Sequence, residues 1–170
     1  MKSLFYVMII VTNIIILVSC GKESIQDPEA IGKNTFEILQ NIDQYSLEEY
    51  KSNLISINEL RELAKNEDVI TKESKRNILS KIPIEKWNEQ IEEDYNKLIE
   101  IGSEDEINWS QIEFLDYIYQ IKTDSGAKET YGTLSFKFNN KKYNVKINSI
   151  YDGNEFKIIA INRIVGYDLE

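Results

Sequence analysis

Apolar residues recur along this chain with two different periods. Over residues 34–101 they return every three to four positions, the spacing of one helical face. Thr35, Ile38, Leu39, Ile42 and Tyr45 form the first stripe. Two S-x-x-E signatures follow, Ser46 with Glu49 and Ser56 with Glu59. In such a box the serine oxygen accepts an orphan amide and the glutamate reaches back to the cap, so each opens a short helix. A further turn of helix is predicted over residues 72–80. Pro83 suits the first position of a long helix, where its missing amide would be unpaired anyway. Ile84, Trp87, Ile91, Tyr95, Leu98 and Ile101 line that helix, which makes Trp87 a core anchor, and Gly102 is placed as its left-handed stop.

After an acidic loop at residues 103–106 the period drops to two. Strands are predicted over residues 112–122, 131–138, 142–150 and 155–165. Leu134, Phe136 and Phe138 alternate with Thr133, Ser135 and Lys137, and Tyr143, Val145 and Ile147 point inward. Asn139-Asn140 and Asp152-Gly153 are hairpin connections able to take positive φ. Helices followed by strands joined by hairpins give an α+β fold, in which N-terminal helices pack on the apolar face of a C-terminal four-stranded antiparallel meander. This element order is similar to that of the NTF2-like and cystatin-like superfamilies. The resemblance covers residues 34–165 and implies helices cradled by a curved sheet, in families that hold both enzymes and binding modules.

Charge and composition narrow the chemistry. The chain has 170 residues and a formal charge of −9, which excludes the basic footprint of a nucleic-acid binder and suits a protein partner with a basic face. It has no histidine, so Ser–His and Cys–His triads, histidine metal sites and the usual near-neutral pH switch are all ruled out. Acid–base work would fall to Asp, Glu, Tyr or Lys. No Gly-rich phosphate loop, zinc spacing or internal repeat is present, and no cofactor or metal is expected.

The first residues carry an address. Lys2 precedes an apolar run from Leu4 to Val18 that only Thr12 and Asn13 interrupt. That run is short for a bilayer span, which needs roughly 20 residues, and fits the apolar region of an export signal. It ends Leu17-Val18-Ser19-Cys20, which resembles the lipobox of bacterial lipoproteins. The resemblance implies cleavage before Cys20, acylation of its thiol, and anchorage in the cell envelope, with the outer membrane as the expected site. Cys20 is the only cysteine, so acylation would also remove the one free thiol. Gly21-Lys22-Glu23 stands where some Bacteroidota lipoproteins carry a charged surface-export signal, with one acid in place of two. The expected organisation is a signal peptide over residues 1–19, a tether over 20–32 and one α+β domain over 33–170. Without the leader the charge becomes −10, with 19 basic residues against 29 acidic ones.

Three groups of residues are candidates for function. Asp116 shares an alternation set with Ile112, Phe114 and Ile118. Apolar neighbours would desolvate it and favour a role as general base, as in some NTF2-like isomerases; the alternatives are a solvated face or a Lys or Tyr partner. Tyr117, Tyr119, Tyr131 and Tyr143 on the sheet, with Trp109 just before it, form either a binding surface or simply good strand residues. Glu92-Glu93-Asp94 and Glu104-Asp105-Glu106 offer carboxylates for calcium, or a solvated acidic surface. The readings are therefore a non-catalytic, membrane-anchored binding domain, a small isomerase or hydratase using Asp116, or an assembly subunit of an envelope complex.

Overall fold

A computed structural model describes residues 25–168. The expected signal peptide, Cys20 and the start of the expected tether lie outside the described residues. Among the described residues five α-helices precede four strands: α1 Pro28–Gln40, α2 Leu47–Lys51, α3 Ile57–Leu63, α4 Glu73–Ser80, α5 Ile84–Glu104, β1 Glu113–Lys122, β2 Glu129–Phe138, β3 Lys141–Tyr151 and β4 Phe156–Asp168. The strands form one antiparallel sheet in the order β1-β2-β3-β4, the expected meander.

Local chemistry sets most of these boundaries. Both capping boxes close: Glu49 N donates to Ser46 Oγ at 3.3 Å while Ser46 N donates to Glu49 Oε2 at 2.7 Å, and Ser56 with Glu59 repeats the pattern. Asn139 takes φ 52° and Gly153 φ 104° at two of the hairpins. Three boundaries differ from expectation. The stretch expected as a tether up to Gly32 is helical from Pro28, because Asp27 caps a helix there that buries Ile31 completely. Pro83 is the N-cap of α5, in extended backbone, and not its first helical residue. Gly102 lies inside α5, which runs on to Glu104, and the positive φ falls on Glu106. Gly102 is there for space: a Cβ would come within 2.5 Å of the buried Trp109 indole nitrogen.

Two apolar clusters hold the fold. The larger joins α1, α2 and α5 to the inner sheet face, with Leu39, Tyr50, Leu98, Leu134, Phe136, Tyr143, Val145 and Ile147 at its centre. The smaller gathers Ile57, Leu60 and Leu63 of α3 and Leu79 of α4 on Ala127 and Ile150. Trp87 packs against both, as the core anchor its spacing predicted. Lys75 Nζ reaches Glu129 Oε1 at 2.7 Å, a largely buried ion pair that fixes α4 to the start of β2. Among the described residues no helix is long and apolar enough to cross a membrane.

Candidate functional site

The two edges of the sheet are treated differently. The β4 edge is sealed by the chain itself: Phe156 N donates to Ile25 O at 2.7 Å, Ile55 N donates to Ile158 O at 2.8 Å, and the Tyr50 hydroxyl donates to Ile161 O at 3.3 Å. At the other edge, among the described residues, β1 pairs with β2 alone. Unpaired edges are ordinarily kept short, charged or covered, because they template pairing with another strand. β1 instead leaves Phe114, Leu115, Ile118 and Ile121 exposed, at 39, 42, 68 and 47%.

A bulge divides this strand. Register with β2 slips between Phe114 and Asp116, so Leu115 is the extra residue. Phe114 therefore turns inward, opposite Phe136, and packs edge-on against Phe36 of α1 at 5.5 Å. Asp116 turns to the outer face, opposite Ser135. The alternation set that placed Asp116 with Phe114 is broken by that one residue. Asp116 is exposed, and its Oδ1 accepts from Tyr117 N at 2.8 Å. The apolar surroundings that would have made it a general base are missing.

From residue 117 to 122 the pairing is regular, and the edge has no strand partner among the described residues. The outer face beside it reads in rows across the strands: Glu113–Lys137–Lys142–Tyr167, Asp116–Ser135–Asn144–Val165, Ile118–Thr133–Lys146–Asn162 and Gln120–Tyr131–Asn148–Ala160. Lys137 pairs with Glu113 at 3.0 Å, Lys146 donates to Thr133 Oγ1 at 2.7 Å, and the Lys122 ammonium lies 4.9 Å from the Tyr131 ring centre. Lys122, Lys137, Lys142 and Lys146 thus share this face with Glu113, Asp116 and, opposite Lys122, the buried Glu129 that pairs with Lys75, leaving a small basic surplus at the exposed positions of a chain whose formal charge is −9.

The expected aromatic surface does not assemble. Trp109 and Tyr143 are core residues. Tyr143 stacks on Phe136 at 5.1 Å, and burial followed by the neighbouring Asp105 pushes its hydroxyl pKa up. Tyr117 and Tyr119 stack on each other at 5.4 Å on the inner face, half-buried beside α1. Burial pushes the Tyr117 hydroxyl up to about 12; it lies near Thr130 without a well-formed hydrogen bond. Of the five aromatics only Tyr131 is on the outer face and exposed. Periodicity could not separate these cases, because inner and outer sets of β1 are both apolar.

The acidic runs also separate. Glu92 and Glu93 are exposed, whereas Asp94 is buried against Gln90, which donates to Oδ1 at 3.2 Å; desolvation holds its pKa above the usual range. Asp105 leaves the acidic loop to bind Lys141 Nζ at 2.5 Å, and that bond lowers its pKa. Among the described residues no group of three or more acidic, cysteine or histidine side chains converges as a metal would require. No protein family matches this chain, and no curated protein or solved structure matches it either.

Proposed function

We propose that this protein is an envelope lipoprotein, anchored through Cys20, whose α+β domain is an interaction module that accepts an extended acidic segment of a partner protein along β1. The observation that carries the reading is the contrast between the two sheet edges. One is sealed by backbone bonds at Phe156 and Ile158; the other is open and lined by Ile118 and Ile121. An added strand would satisfy the free backbone groups over residues 117–122, while its side chains cover the exposed isoleucines. Burying one such side chain contributes about 2 kcal/mol. The whole-chain charge favours a basic partner; the lysines beside β1 favour an acidic one, and contact is made at β1.

The address rests on Leu17-Val18-Ser19-Cys20 alone. Asp116, exposed at a bulge, gives the isomerase reading no support. The test is affinity capture of the tagged full chain from intact cells, beside Ile118→Asp and Cys20→Ser forms. Recovery of one stoichiometric acidic protein that Ile118→Asp loses, and loss of both fatty-acyl labelling and leader cleavage in Cys20→Ser, are expected. Equal recovery with Ile118→Asp contradicts the β1 assignment, and acyl labelling or leader cleavage unchanged in Cys20→Ser contradicts the anchor.

A further inference from the structure

A cleft of about 510 Å³ lies between α3 and α4, away from β1. Its wall carries Arg61, Lys65 and Arg76 together with Asn58, Asn77 and Ser80, and Glu62 is the acid among its lining residues. The chain has three arginines, Arg61, Arg76 and Arg163, so two of them line this one cleft. The cleft therefore holds most of the chain's planar guanidinium donors, the groups best matched to oxyanions.

Both guanidinium groups are held in place by backbone oxygens at the two ends of α4. Arg61 Nη2 donates to Ile82 O at 2.8 Å, just past the helix. Arg76 Nη1 donates to Ile70 O at 2.9 Å and Thr71 O at 3.2 Å, just before it. The buried Lys75–Glu129 pair fixes the neighbouring turn of α4 against the sheet, and Arg76 and Asn77 remain on the cleft side. The rotamer entropy of these long side chains is therefore already lost before any ligand arrives. Each guanidinium has five N–H donors; the backbone oxygens take one at Arg61 and two at Arg76. Arg61 Nε is buried with no partner. Arg76 also contacts Glu67 at 3.2 Å, but Glu67 is 76% exposed. Lys65 pairs with Glu62 at 2.6 Å, with both side chains about 70% exposed, so the pair is worth little and Lys65 exchanges partners readily.

We propose that the α3–α4 cleft binds a small, multiply charged oxyanion, held between the Arg61 and Arg76 guanidinium groups with Lys65 at the rim. Planar guanidinium donors match phosphate and carboxylate oxygens, and the cleft volume suits a small-molecule ligand. The site is independent of the β1 surface, so either assignment can fail alone.

The test is calorimetric titration of the full chain in detergent with pyrophosphate and with citrate at fixed ionic strength, chloride serving as control. Saturable one-site binding of at least one of the two is expected, with preference between them separating a phosphate from a carboxylate ligand. Arg76→Gln should weaken it at least tenfold. Lys65→Gln, at an exposed position that leaves the fold intact, should weaken it about threefold. Ile118→Asp and Lys146→Gln should leave it unchanged. Absence of saturable binding for both anions overturns the proposal. So does equal weakening by Lys146→Gln and Lys65→Gln, which would mean a diffuse field in place of a site.

Discussion

Gly32 of α1 and Gly132 of β2 face each other across one ring, that of Tyr117. A Cβ on either glycine would fall inside contact distance of the Tyr117 side chain. Two positions a hundred residues apart are thus kept bare so that one tyrosine can fill the space between helix and sheet. Gly132→Ala should destabilise the protein by about 1–3 kcal/mol through overpacking, although alanine is the better strand residue by backbone entropy. Chemical denaturation measures this. Combined with Tyr117→Ala, the alanine at 132 should cost markedly less, because the obstructing ring is gone.

The Lys75–Glu129 ion pair should behave as a buried pair. The side chains are 19 and 7% exposed, and Ser125 Oγ donates to the second carboxylate oxygen at 2.7 Å. Lys75→Met leaves Glu129 charged and enclosed with its main partner removed. A loss of about 3 kcal/mol is expected, read as a lower denaturation midpoint at unchanged slope. A loss below 0.5 kcal/mol would show that Glu129 finds water.

Asp94 gives a pH signature. Desolvation raises its folded-state pKa; Gln90, Lys97 and Asn162 oppose the shift and Glu93 adds to it. The folded protein then holds the proton more tightly than the unfolded chain, so stability falls as pH rises from the ordinary aspartate range through the folded value. Asp94→Asn should stabilise the protein at pH 7 by on the order of 1 kcal/mol, an advantage that disappears below about pH 4, where both carboxyl forms are neutral. Thermal melts at several pH values follow it. A variant less stable at pH 7 than at pH 4, relative to the parent, would reverse the sign.

What was legible in the sequence divides by range. The capping serines Ser46 and Ser56, the turn residues Asn139 and Gly153, and the stripe of α5 act within a few residues of themselves, and their elements form as read. The start of α1 was also written locally, in Asp27-Pro28-Glu29, where a capping aspartate precedes a first-turn proline. Gly102 makes its decisive contact outside its own helix, with Trp109, so local rules misassigned it as a stop. The Leu115 bulge has no local mark, since both alternation sets of β1 are apolar, and that one residue decides which face Asp116 occupies. Asp94 sits in an acidic run and is buried only because α5 turns that position inward, near Tyr50 and Asn162.

The most direct test of the β1 assignment is photo-crosslinking in intact cells, with a photoreactive residue at position 118 of the full chain and a control at position 92 on the exposed side of α5. One discrete adduct with an acidic partner protein, formed from position 118 and absent from position 92, is the predicted result. An adduct of twice the chain's own mass, or no adduct beyond that of the control, would contradict it.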